Sequence, residues 1–357
     1  MIIKTKAHGR AGLIGNPSDG YFGKTISFIL KEFSTTVICY ESPRIAIRPL
    51  HREQLEFDGL GALLNDIEMN GYYGGIRLIK AAIKRFADYC QGESISLHGR
   101  NFAIEYSTEI PVRVGLAGSS AIVTATFLAL MAFYDVQIPQ PVLPGLILSV
   151  ELDELGIGAG LQDRVVQVYE GAVFMDFNEP LMQQQGHGQY ESLDPKALPP
   201  LFVAYHDTLA EGTEITHNDL RERFNRGDKQ VVDAMTQFAD LAQKSRDLIH
   251  AGRGIEIGPL MNRNFDLRAE LCTISPGNHE LVEIGRQQGA ATKFAGSGGA
   301  VVGCYDGDPA RLNRIRGAYL ELAEQNVNRI QIIDSSKAIE DMLKSVEEKI
   351  NNLFFNE

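Results

Sequence analysis

Cysteine is scarce in this 357-residue chain: Cys39, Cys90, Cys272 and Cys304 stand far apart, form no Cys-x-x-Cys pair and sit mostly in apolar contexts. A disulfide scaffold and a structural zinc site are therefore not expected, and the four read as reduced core residues. The eight histidines fall in no His-x-x-x-His spacing, which argues against a catalytic zinc. Positive charge is also short. Lysine and arginine total 34 against 46 acidic residues, a net charge of -12, which disfavours nucleic acid and membrane surfaces, both polyanions, as partners. No apolar run reaches the roughly 20 residues of a membrane helix, and Met1-Ile-Ile-Lys-Thr-Lys6 lacks a signal peptide's apolar core. The expectation is a soluble, cytoplasmic protein. Internal repeats and low-complexity tracts are absent as well.

What the chain has is length, apolar content and clustered glycine. At 44% hydrophobic, 357 residues can fill two cores, so two domains of roughly 150 to 190 residues are expected. Three segments concentrate glycine. The middle one, Pro111-Val-Arg-Val-Gly-Leu-Ala-Gly-Ser-Ser-Ala121, runs into the apolar stretch Ile122 to Tyr134. A glycine turn ending in hydroxyls at a helix start offers free N–H groups and a positive dipole end to a phosphate; the same residues could instead be a plain helix capped by Ser119 or Ser120. The last, Lys293-Phe-Ala-Gly-Ser-Gly-Gly-Ala-Val-Val302, joins two apolar stretches and by itself reads as a hairpin with a tight glycine turn. The first spans Ala7 to Thr25. Its end, Gly23-Lys24-Thr25, imitates the tail of a P-loop, but the position of the leading glycine is Ser18, so a P-loop is rejected and Lys24 reads as an ordinary solvated lysine.

Alternating apolar residues predict strands at Thr36–Tyr40, Ile45–Pro49, Ser94–His98 and Phe102–Tyr106, and helices at Ile76–Tyr89, Ser119–Tyr134 and Val142–Glu154. The polar run Leu181 to Asp194, followed by Pro195 and Leu198-Pro-Pro200, reads as the domain junction. Beyond it a strand is expected at Leu201–His206 and helices near Thr216–Phe224, Gln230–His250, Glu256–Leu271 and His279–Gln288. Strands should flank the Gly296 loop, with another strand at Arg329–Asp334 and an amphipathic helix over Ser335–Phe355. Helices and strands mix without regular alternation, which points to an α+β class.

Three glycine segments in this order resemble the GHMP small-molecule kinases, and within them the plant-type glucuronokinases. The blocks that carry the resemblance are Gly15–Thr25, Asn70–Gly75, Gly115–Val123, Glu154–Val165, Met261–Arg268 and Lys293–Val302. The resemblance implies a two-domain GHMP-kinase-like fold, over 1–185 and 196–357, with a ribosomal S5 domain 2-like N-terminal half and a ferredoxin-like C-terminal half. It also implies an ATP- and Mg2+-dependent kinase acting on the anomeric hydroxyl of a sugar, D-glucuronate first. A kinase for a neutral hexose or a heptose phosphate, and a catalytically silent sugar sensor, remain as alternatives.

Site residues follow from the same resemblance. Gly115, Leu116, Ala117, Gly118, Ser119, Ser120 and Ala121 would cradle the ATP phosphates, and Ser120 with Glu151 would hold Mg2+, which takes hard oxygen ligands. Asp163 would orient the acceptor hydroxyl or accept its proton late in the transfer, beside Arg10, which stays charged and cannot be the base. Asp19, Gly296, Ser297, Gly298 and Arg268 would meet the sugar. Tyr72 and Tyr73 would pack near adenine or sugar. Asn16 stands where related kinases carry a Glu, so their recognition of galactose or mevalonate does not transfer at that position. A uronate carboxylate calls for an arginine, and Arg113, Arg164 and Arg268 lie in or beside the matched blocks.

Overall fold

The computed structural model describes residues 1–48, 74–112, 114–206 and 220–325. The block Asn70–Tyr73, Arg113, the start of the expected Thr216–Phe224 helix, and the strand and helix expected beyond residue 325 lie outside the described residues.

A six-stranded sheet forms the first half. Strand β2 (Lys24–Ser42) is its axis. Strand β1 (Ile2–Ile14) runs antiparallel along one side of it. The other side is shared by β5 (Ala172–Asp176) near the start of β2 and β4 (Asn101–Thr108) near its end. β3 (Ala46–Arg48) pairs with β4, and β6 (Gln189–Leu193) closes the edge against β5. Alternation thus found the right residues for β3 and β4. At Ser94–His98 it did not: that stretch carries no strand, and Ser94, at φ 59°, instead turns the chain out of the preceding helix.

Helix α2 (Gly118–Tyr134) is apolar nearly all round, and it is buried accordingly between the sheet, where it meets β1 and β2, and helix α1 (Gly75–Gly92). Phe127 and Phe86 meet edge to face in that core at 6.0 Å. Helix α3 (Leu143–Ser149) gives way to a single π-turn, Val150–Glu154. Helix α4 (Gln162–Tyr169) then packs on β1, β2 and α2.

The polar run expected to be a junction is structured. It holds helix α5 (Glu179–Gln185) and the edge strand β6, so the first sheet continues to Leu193. The chain passes to a second sheet only after that. There β7 (Leu201–Tyr205), β9 (Ala300–Cys304) and β8 (Ala291–Phe294) lie antiparallel in the order β7-β9-β8. Helices α7 (Gly258–Leu271) and α8 (Pro276–Gln287) pack on this sheet and α9 (Pro309–Gln325) on α8, while α6 (Lys229–His250) lies between α7 and strand β2 of the first sheet; a further helical stretch covers 220–225. Helices α6 and α7 also touch β1, so both halves border the same strand. The four cysteines are free thiols, three of them buried. Among the described residues no helix is long and apolar enough to cross a membrane.

Candidate active site

The three glycine segments converge. Gly23–Thr25 starts strand β2 rather than a helix, which confirms that no P-loop exists; Lys24 is ion-paired with Asp176 at 2.9 Å instead of standing solvated. Upstream, β1 shifts register at His8/Gly9 and again at Gly12/Ile14, and Arg10 lies between the two irregularities. Such bulges re-aim side chains. Arg10 is 5% exposed and its guanidinium reaches three partners. Its Nε donates to Asp163 Oδ1 at 2.6 Å, and its Nη1 donates to the carbonyls of Gly115 at 2.7 Å and Ala295 at 2.9 Å. One side chain thereby joins the middle loop, the last loop and the expected base.

The middle loop turns through Gly115 at φ 73°, a region that favours glycine, and a Cβ there would come within 2.9 Å of the Gly298 carbonyl. Ala117 follows in the left-handed region and starts helix α2 with no side-chain cap. The capped-helix reading therefore fails: the Ser120 hydroxyl donates back to the Ala117 carbonyl at 3.1 Å. The first bond of the helix runs from Ala121 N to Ala117 O at 3.2 Å. The N–H groups of Gly118, Ser119 and Ser120 precede it, as the orphan donors of a helix start, with the positive dipole end behind them. That is a fit for a polyphosphate. Gln167 braces the turn, with Nε2 donating to the carbonyls of His8 and Ala117, both at 3.0 Å.

The last loop is the turn of the β8–β9 hairpin, as its glycines suggested. Helix α7 holds two glycine segments from one face. Asn264 accepts from Gly15 N at 2.7 Å and donates to Asn16 O at 3.0 Å; one turn on, Arg268 donates to Gly296 O at 2.9 Å and Ser297 O at 2.7 Å. Both arms of Arg268 are thus spent on the hairpin turn. It positions that turn and does not present an open fork to a substrate, contrary to the expectation that placed it among the sugar contacts.

Lys293 joins the site as a residue that the glycine motifs do not indicate. It is 1% exposed, and its Nζ donates to Gly12 O at 2.7 Å and Phe294 O at 2.6 Å. Burial pulls its pKa well below the ordinary lysine value, and the nearby Arg268 and Arg10 push the same way. Its signal lay in the sequence, as a lysine inside an apolar strand pattern.

Asp19 sits in the short turn Ser18–Tyr21 and faces α4. Its Oδ2 accepts from Gln162 N at 3.4 Å, and a side chain at Gly160 would collide with it. Burial, followed by the negative charge of Asp163, raises its pKa to about 6, against the opposing Gln162 N–H and Arg10. Asp19 and Asp163 therefore form a pair of carboxylates with two guanidiniums beside Asp163, Arg10 at 2.6 Å and Arg164 at 3.5 Å. A neutral polyol can bridge such a pair by donating hydroxyls to both.

Glu151 and Arg164 are brought together in a way the sequence did not indicate. Glu151, on the π-turn, and Arg164, on α4, form a buried ion pair, their side chains 3% and 2% exposed. As the side chains stand, Glu151 is committed to Arg164 and does not fit as a Mg2+ ligand; Arg164 likewise is not open to a sugar carboxylate. Among the described residues no cluster of three or more His, Cys, Asp or Glu side chains is arranged to hold a metal ion.

Comparison with known proteins agrees with this geometry. The family profile described as GHMP kinases N terminal domain matches residues 77–171. The chain is 42% identical over 306 residues to glucuronokinase 1 of Arabidopsis thaliana, covering 84% of each chain. It is 24% identical over 247 residues to a mevalonate kinase of Methanocaldococcus jannaschii, covering 69% of this chain and 73% of that protein. The crystal structure of Lactococcus lactis galactokinase complexed with galactose superposes with a TM-score of 0.69 at 15% identity, over 90% of this chain and 91% of that one. With its convergent glycine loops, its uncapped helix start and 42% identity across most of its length, the chain belongs to the GHMP kinase family and is a small-molecule kinase.

Proposed function

We propose that the protein is a glucuronokinase, transferring the terminal phosphoryl group of ATP to the anomeric hydroxyl of D-glucuronate. The single observation that carries the substrate is the 42% identity to a glucuronokinase over 84% of both chains. The ion-paired Asp163 beside Asp19 supports it, because those two carboxylates suit a polyhydroxyl acceptor.

In this reading the N–H groups of Gly118, Ser119 and Ser120 hold the polyphosphate, with Gly115 to Ala121 forming the loop. When bound, ATP would supply the phosphoryl group, with ADP as the leaving group. Asp163, held by Arg10, accepts a hydrogen bond from the anomeric hydroxyl, aims its lone pair at the phosphorus and takes the proton late in transfer. A loose transition state asks for positioning more than for a strong base, and that is what the Arg10 contacts provide. Asp19 accepts a second hydroxyl. The Gly296–Gly298 turn, held by Arg268, closes the same space. Ser120 and Glu151 would hold Mg2+ only in a state where Glu151 has left Arg164. The protein is cytoplasmic in this reading, and its two domains divide not at 185 but after Leu193, where β6 ends the first sheet, with the second over 196–357.

A coupled ATP-turnover assay across a panel of hexoses, heptose phosphates and uronic acids tests it. Glucuronate should exceed glucose in kcat/KM by more than about a hundredfold, since a site that pairs the carboxylate with a cation loses that charge-assisted bond with a neutral sugar. Equal rates on the two sugars would refute the uronate reading in favour of a neutral-sugar kinase.

A further inference from the structure

Three arginines near the site are committed to the protein itself: Arg10 to Asp163, Arg164 to Glu151, and Arg268 to the Gly296 and Ser297 carbonyls. Arg221 is different. It is exposed, its protein contacts are a hydrogen bond to the Tyr21 hydroxyl and a place over the Tyr21 ring, and it forms no ion pair with a carboxylate among the described residues. It lies on the helical stretch 220–225, which crosses the Ser18–Tyr21 turn. Phe224 packs on the Tyr21 ring with centroids 5.0 Å apart. One turn earlier on the same helix face, Arg221 lays its guanidinium over that ring, 5.1 Å from its centroid. Tyr21 is itself buried, so the platform is fixed.

The position of the guanidinium is defined by what Gly20 lacks. A Cβ on Gly20 would meet a single atom within 4 Å, Arg221 Nη2 at 3.1 Å. The cation therefore occupies the space over Gly20, next along the chain from Asp19. The Asp19 carboxylate itself meets Gln162 N and Asp163, and Arg221 is not among the charges that act on it. A uronate offering hydroxyls to Asp19 and Asp163 brings a third negative charge near two carboxylates. Like charges repel, so its C6 carboxylate is favoured on the side where a cation faces it. Across Gly20 that cation is Arg221. A guanidinium already held by the Tyr21 ring and hydroxyl loses less further freedom when a carboxylate meets its remaining N–H donors.

We propose that Arg221, stacked on Tyr21 over Gly20, receives the C6 carboxylate of the uronate substrate and sets the preference for uronate over neutral sugar. This rests on the glucuronate reading above.

The test is kcat and KM for glucuronate and for glucose in the wild-type protein, Arg221→Gln and Arg221→Lys. In the Gln variant KM for glucuronate should rise by about a hundredfold, so that the glucuronate-to-glucose ratio of kcat/KM collapses to within about tenfold. The Lys variant, which keeps the charge without the fork, should retain part of the ratio. A wild-type ratio near one would overturn the substrate reading, and this assignment with it. A large wild-type ratio that survives in the Gln variant overturns the Arg221 assignment alone, as do equal losses on both sugars in the two variants, which would mark Arg221 as a structural prop for Tyr21.

Discussion

Arg10 and Asp163 stand 153 residues apart in sequence and meet as an ion pair at 2.6 Å, and the same guanidinium binds the Gly115 and Ala295 carbonyls. The orientation of the proposed base is thereby coupled to the placement of two glycine loops. A change at Asp163 acts first on the chemistry and reaches the loops only through Arg10, which keeps its two loop carbonyls, whereas a change at Arg10 acts on the chemistry and on both loops directly.

Asp163→Asn keeps the shape and removes the charge. Turnover should fall by roughly a hundredfold or more, with the KM for ATP nearly unchanged, as for a group acting mainly in the transition state. Arg10→Met should lower turnover as far and raise the ATP KM as well. Steady-state kinetics on the two variants checks both. Wild-type turnover in the Asn variant would remove Asp163 from the mechanism.

Asp19 makes activity and stability depend on pH in opposite senses. Its folded pKa of about 6 lies above the ordinary 3.8, so folding favours the protonated form. The stability it contributes is present below about pH 3.8 and is lost as pH rises through 6. Its capacity to accept a hydroxyl from the sugar grows over the same interval. Asp19→Asn should therefore fold more stably than wild type above pH 6, by at most about 3 kcal/mol, and should lose the acid limb near pH 6 in kcat/KM for the sugar. Denaturant titrations at pH 5 and pH 8 with a pH–rate profile measure the two effects. A variant no more stable than wild type at pH 8 would contradict the raised value.

Much of this site was legible because it is local. Glycine followed by paired hydroxyls and an apolar run marked the start of α2, and the glycines of Gly296–Gly299 marked the β8–β9 turn, since both are decided within a few residues. The same spacing logic reaches Asn264 and Arg268, which are four residues apart on α7 and so hold two loops from one face. Tertiary partners were not legible. Ser94–His98 alternates like a strand but finds no strand to pair with. Gln189–Leu193 looks like a polar linker but finds the edge of β5, where only Leu193 needs to be buried. Glu151 looks like a metal ligand until α4 brings Arg164 against it.

That last pair yields a prediction with two separable outcomes. Glu151→Gln removes the nearer counter-charge of the buried Arg164 guanidinium and leaves it only the Asp163 carboxylate at 3.5 Å, which should cost about 2 to 4 kcal/mol; replacing both partners, as Glu151→Met with Arg164→Met, should restore part of the loss. Thermal unfolding of the single and double variants measures it. Should Glu151→Gln unfold like wild type and instead raise the Mg2+ concentration needed for half-maximal activity tenfold or more, Glu151 is a metal ligand and the ion pair is a resting arrangement.

Gly296→Ala tests whether the loops must touch. A Cβ at Gly296 would run into the Gly115 carbonyl and come within 2.8 Å of Arg10 Nη1. Neither neighbour can swing away, because one is backbone and the other is held by three hydrogen bonds, so the two loops must separate. The expected result is a loss of roughly 1 to 3 kcal/mol in stability and a rise of at least about tenfold in the ATP KM. Gly145→Ala is the matched control. Gly145 lies in helix α3, and a Cβ there would meet nothing within 4 Å, so alanine should stabilise by roughly 0.5 to 1 kcal/mol and leave the kinetics alone. If both alanines behave alike, contact between the Gly115 and Gly296 loops is not what organises this site.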